Sequence, residues 1–147
     1  MNKEMSKALT ALGAALLRSY KEEWEPKLKL IDRFAEDVVS IGSWNFAGKV
    51  QGGEPLHQPE LFMIVKENSR DYREVSAKIE KLEKILSTLS EEEISIIEFY
   101  HWKGIEVSEI AKIVHMEPRS VYRRIRTSEL KVGSRGQRYK FMKVVID

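Results

Sequence analysis

The groups best suited to recognition chemistry lie near the C-terminus. From Pro118 to Asp147 the chain carries nine Lys/Arg against two Asp/Glu, a local charge of +7 in a protein whose total is +2. Within that stretch Arg119, Arg123 and Arg126 recur at intervals of four and three, the spacing that lines up side chains on one face of a helix. A planar guanidinium donates two parallel hydrogen bonds, so it matches either the oxygens of a phosphate or O6 and N7 of guanine. A solvated basic face fits the charge equally well, so the elements that hold these residues must decide between the two.

Those elements are legible as three short helices between Ser90 and Val132. Ser90 followed by Glu91, Glu92 and Glu93 has the form of a capping box with an acidic first turn. The helix it opens should bury Ile94, Ile97 and His101 and end at Gly104. Ser108 is placed to cap a second helix with Ile110, Ala111 and Val114 inward; alanine at 111 permits a close helix crossing. His115-Met116-Glu117 reads as a turn, and Pro118 suits the first position of a third helix.

With Val121 facing the core and about 100° per residue, Ile125 and Ser128 fall within about 40° of it. Arg119, Arg123 and Arg126 fall about 140° to 200° away, on the opposite face. This is the layout of a helix-turn-helix, in which the last helix enters the major groove of DNA. Arg119 and Arg123 are assigned to base edges, with Ser120 and Tyr122 beside them; Arg124, Arg126 and Lys131 are assigned to phosphates. The third helix should fray near Glu129. The tail from Gly133 starts flexible and ends apolar at Tyr139, Phe141 and Val144; Arg135, Arg138 and Lys140 could follow the phosphate backbone as an arm.

Upstream, a first helix is expected over about Lys3 to Glu23, with Gly13 and the alanines 8, 11 and 15 allowing another helix to approach. Pro26 should interrupt it and open a second helix. There Leu28, Ile31, Ala35 and Val38 form an apolar stripe widened by Phe34, ending near Gly42. Residues 42–59 read as a long loop anchored by Trp44 and Phe46. From about Glu60 to Thr88 the heptad series Leu61, Val65, Asn68, Tyr72, Val75, Ile79, Leu82, Leu86 and Leu89 runs without a slip. That seam serves a dimeric coiled coil, with Asn68 fixing register and Tyr72, Val75, Ile79, Leu82 and Leu86 in the interface, or an intrachain bundle. Glu74–Lys78 and Glu80–Lys84 add i,i+4 support.

The sequence therefore predicts an all-α chain: an N-terminal region over 1–58, a connecting helix over 59–89, a helix-turn-helix over 90–132 and a basic tail over 133–147. The 42% hydrophobic and 33% charged composition, with no cysteine, suits a soluble helical protein of a reducing cytoplasm. No apolar run approaches the ~20 residues that cross a bilayer, so no membrane role is expected. Arg18 directly after Leu17 argues against reading the N-terminal apolar segment as a signal peptide. An enzyme is not expected: phosphate loop, nucleotide fingerprint and nucleophile elbow are all missing. His57, His101 and His115 lack metal-ligand spacing, and neither metal nor cofactor is implied.

The pattern LSEEEISIIEFYHWKGIEVSEIAKIVHMEPRSVYRRI resembles the promoter-reading C-terminal domain of bacterial sigma factors, over about Leu89 to Val132. The whole chain resembles small phage- and prophage-encoded regulators of the RinA and ArpU type. The resemblance implies activation of phage late genes in the host cytoplasm, with double-stranded DNA and RNA polymerase as partners. It puts Arg119, Ser120, Tyr122, Arg123 and Arg124 at the DNA-reading positions. Glu117 stands where Ser or Thr is usual, and His115 and Met116 stand where a small residue or glycine is usual. Two other readings remain open: a sigma-like protein that grips RNA polymerase without reading DNA, and a DNA-packaging protein like a small terminase subunit.

Overall fold

The computed structural model describes residues 2–47 and 58–138; side chains are described up to residue 38 and again from residue 60. Among the described residues all regular structure is helical, with no strand, as the sequence predicts. No described helix is long and apolar enough to cross a membrane. Trp44, Phe46, His57, most of the expected loop and the tail beyond Arg138 lie outside the described side chains.

Asn2 opens α1 (Lys3–Ser19) by accepting the Met5 N–H at 2.7 Å, satisfying a donor that a helix start otherwise leaves unpaired. A π-helical turn, Tyr20–Trp24, leads into α2 (Glu25–Ala47). The cause is Pro26, which lacks an N–H and whose ring would clash with the carbonyl of Glu22 in a regular helix; a wider turn relieves both. α2 continues past Gly42 to Ala47, so the expected stop at the glycine is corrected. One glycine in a helix costs only about 1 kcal/mol, too little to end it.

The expected helix over 60–88 is two helices, α3 (Gln58–Glu67) and α4 (Arg70–Leu86). Asn68 lies in the break and is exposed, and Ser69 accepts the Tyr72 N–H at 3.3 Å to start α4. Asn and Ser offer the backbone such local bonds, which favours a break over a continued helix. Seam positions Val75, Ile79 and Leu82 are buried within the chain itself, while Leu86 and Tyr72 are half-buried. Asn68 thus stands in a break rather than within one continuous helical seam, and much of the apolar side of α4 is covered within the chain. Glu80–Lys84 forms at 3.6 Å, but Glu74 pairs with Arg70 at 3.0 Å, and Lys78 lies over the Trp24 ring instead.

The chain groups into two units: residues up to 23 together with those from 79 on, and residues 24–78. In the second unit α2 packs on α3, with Ala35 buried and Leu28 and Ile31 half-buried. Asp32 holds Lys66 at 2.7 Å, and the same ammonium sits 4.9 Å from the Phe62 ring centre and 4.7 Å from that of Tyr72. Phe34 does not widen this stripe. It lies about 100° around the helix from Ala35 and is 65% exposed.

The first unit contains α1, α5 (Glu91–Ile97), a π-helical turn Glu98–Trp102, α6 (Val107–Val114) and α7 (Pro118–Arg138). Its core is Ile96, Val107, Ile110, Ala111, Val121 and Ile125, with Phe99, Ile105, Val114 and Met116 against it. Ile94, expected inside, is half-buried, and Ile96 takes its place beside the already expected Ile97. α6 begins two residues early, so Ser108 is not its cap; Glu106 holds that position with no side-chain bond.

α7 does not fray at Glu129 but runs 21 residues to Arg138. The reason is α1, which crosses the second half of α7 almost backbone to backbone. A Cβ on Gly13 would lie 1.8 Å from the Glu129 carbonyl oxygen, and one on Gly133 would lie 1.7 Å from that of Leu9. The close approach expected of Gly13 is thus present, and Gly133 is its counterpart on α7. Trp102 Nε1 donates to the Leu17 carbonyl at 3.0 Å, and its ring lies 5.4 Å from that of Tyr20.

Candidate nucleic-acid interface

The start of α7 is fixed by a short turn. His115 adopts the left-handed conformation (φ 55°), and the Met116 N–H bonds the Ala111 carbonyl at 3.0 Å, which closes the end of α6. Pro118 then opens α7, where its missing N–H costs nothing. Glu117 precedes it, and its carbonyl accepts the Val121 N–H at 3.1 Å. A carboxylate there favours the positive end of the helix dipole, a local reason for an acid beside arginines.

Val121, Ile125 and Ser128 are buried, as the angular reading predicts. Arg119, Arg123 and Arg126 are exposed, and none forms an ion pair or hydrogen bond with any described residue. Tyr122 is 51% exposed between them, and Ser120 is half-buried. Arg126 shares a cleft of about 440 Å³ with Ser6, Lys7 and Thr10 of α1. Lys7 escaped sequence reasoning because only the α1–α7 crossing brings it near the arginine face.

The remaining predicted cations are engaged or set apart. Arg124 pairs with Glu92 at 2.8 Å, both side chains nearly half exposed. Lys131 pairs with Glu93 at 3.0 Å. Glu93 also accepts from the Ser90 N–H at 3.3 Å, while its own N–H bonds the Ser90 hydroxyl at 3.2 Å, so the capping box is complete. Ser128 lies 3.5 Å from the same carboxylate. Burial pushes the Glu93 carboxyl up, but the Lys131 ammonium and the Ser90 bonds outweigh it and hold it below its ordinary value. Arg123, Arg124, Thr127, Lys131 and Glu93 together line a cleft of about 250 Å³.

Arg135 is half-buried with Nη1 enclosed and unbonded, and Arg138 is exposed at the helix end. Neither belongs to a flexible arm, since both lie in α7. His101, expected inside, has a 6% exposed side chain with Nε2 3.3 Å from a Glu129 oxygen, an ion-pair distance without the alignment of a hydrogen bond. Among the described residues no group of His, Asp and Glu is placed to hold a metal ion.

Comparison with protein-family models, with curated proteins and with solved structures gives no significant match. The functional reading therefore rests on the residues and their geometry.

Proposed function

We propose that the protein is a double-stranded-DNA-binding transcription regulator that reads sequence with the first half of α7. One observation carries the reading: Arg119, Arg123 and Arg126 stand exposed and unpaired on a helix whose opposite face is locked into a core by Val121 and Ile125. Leaving three guanidinium groups without carboxylate partners on one face suits a polyanion better than a self-contained fold. Residues 118–127 span roughly 15 Å at 1.5 Å per residue, a length that enters a major groove ~12 Å wide.

In this reading Arg119 and Arg123 address base edges, with Ser120 and Tyr122 beside them. Arg126 and Lys7 grip phosphate, and Arg124 and Lys131 join once Glu92 and Glu93 release them. The finer form of the proposal, an activator of phage late genes working with RNA polymerase in the bacterial cytoplasm, rests on the resemblance of the whole chain to phage-encoded regulators and of residues 89–132 to sigma factors.

Selection of bound duplexes from a random pool, followed by Arg123→Ala, tests the proposal. A defined consensus is expected, with the variant losing about 1–3 kcal/mol of affinity and relaxing base preference at one position. A wild type that shows no duplex binding at low salt refutes it, and retention of RNA polymerase by that same protein would make it a protein-binding module.

A further inference from the structure

We propose that α2 is a self-association surface, on which α2 of a second copy of this chain packs antiparallel through Leu30, Phe34 and Val38. The proposal is independent of the DNA reading and concerns the unit of residues 24–78 alone.

The three residues recur every four positions and form one stripe on α2. They are 63%, 65% and 37% exposed. This is the one helix face in that unit where three consecutive turns each present a large apolar side chain to solvent among the described residues. A row of that kind marks an interaction surface more often than a solvated face. Beside it lies a cleft of about 350 Å³ lined by Leu30, Ile31, Phe34, Ala35 and Val65, a receptacle for an inserted side chain. The other side of α2 is already occupied by α3.

Charge identifies the occupant. After the half-buried Glu25 that opens α2, the cations Lys27, Lys29 and Arg33 come first along its exposed part and the anions Glu36 and Asp37 follow. Asp32, which would break the order, is neutralised by Lys66. A helix with a basic first half and an acidic second half is complementary to itself when reversed, and repels itself when parallel. With the two-fold axis level with Ala35, Arg33 of each copy stands opposite Asp37 of the other. The apolar stripe is centred on Phe34, within one residue of that axis. Arg33 and Asp37 also lie on the same flank of the stripe, about 60–100° from its centre. In an antiparallel pair it is the like flanks of the two helices that meet. Pattern, centre and flank thus select the same two-fold arrangement, which makes the contact closed and isologous.

The test is the mass of the full-length protein in solution by sedimentation equilibrium and light scattering. The wild type is expected to be a dimer at micromolar concentration, and Phe34→Asp a monomer. Arg33→Asp should weaken the dimer at least ~10-fold, because two attractive pairs become repulsive by symmetry. The double variant Arg33→Asp/Asp37→Arg should recover the wild-type affinity to within a few fold, because it restores both pairs with the signs exchanged. The chain has no cysteine, so with a mild oxidant Phe34→Cys should form a disulfide-linked dimer, while Lys112→Cys on the exposed face of α6 should not. Helicity by circular dichroism establishes that each variant is folded. A wild type that stays monomeric at ~100 μM, where even weak specific dimers form, overturns the proposal. So does a folded double variant that fails to recover.

Discussion

Replacing Gly133 with alanine sets two opposing effects against each other. Alanine is the better helix former by about 1 kcal/mol, so an α7 whose second half met only solvent would gain stability. Here the added methyl would sit 1.7 Å from the Leu9 carbonyl oxygen and 2.6 Å from its carbon. Both are backbone atoms of α1 and cannot turn aside as a side chain would. The helices must separate by more than an ångström, which forfeits packing along the crossing, where Leu9, Leu16, Leu17 and Val132 are buried. Overpacking of this kind costs ~1–3 kcal/mol, and with backbone on both sides the upper end applies. The net loss is about 2 kcal/mol. For a unit of this size that lowers Tm by roughly 8–16 °C, measurable by calorimetry.

Gly13→Ala should behave alike, since its Cβ would lie 1.8 Å from the Glu129 oxygen. The two losses should not add, because helices already pushed apart by one methyl accommodate the second more cheaply. Gly104→Ala serves as the control. Its φ is +65° but nothing lies within 4 Å, so it should cost only the left-handed strain of roughly 1–2 kcal/mol. A Gly133→Ala protein as stable as the wild type, or more so, would refute the close crossing and with it the placement of Lys7 beside Arg126.

His115→Gly should stabilise the fold by up to about 1 kcal/mol, read as a higher urea midpoint at unchanged m-value, because it removes left-handed strain from the turn; a lower midpoint would mean that the imidazole itself holds the turn. Glu93 has its folded pKa held below the ordinary 4.5, so its contribution is complete above that value and is lost as pH falls through the folded pKa. Glu93→Gln should accordingly flatten the acid limb of the stability–pH curve, and an unchanged limb in urea titrations would place the acid sensitivity elsewhere.

The faces of α7 were readable because a helix start, a turn and a hydrophobic period are local signals. Pro118, the Ser90–Glu93 box and the inward set Val121, Ile125 and Ser128 each need only a few neighbouring residues to be recognised. The errors arose where a distant segment or a weak competing bond decided the outcome. A frayed end was expected near Glu129 because nothing in the neighbouring sequence announces that α1 lies there. The break at Asn68 was hidden inside an unbroken heptad series, since the period records which residues are apolar and not whether the backbone is continuous. Phe34 looked like part of the α2 core because apolar character alone does not say which of two faces a partner covers.

The composition of α7 changes along one continuous buried stripe, and that change explains how the arginine face is held. Where α5 and α6 cover it the stripe is Val121 and Ile125, large side chains that fill a core. Where α1 covers it the stripe includes Glu129, Val132 and Gly133, and Gly133 lets the α1 backbone come close beside the buried Val132 side chain. Glu129 meets His101 from the π-helical turn, so the acid that α1 helps to enclose is answered by the segment joining α5 to α6. One helix is thus gripped at its first half by side-chain packing and at its second by a backbone crossing. Its orientation does not depend on the short turn at His115 alone. In the proposed DNA-binding reading, three arginines on such a helix present a preorganised pattern, so that binding loses less conformational freedom than it would from a frayed or hinged element.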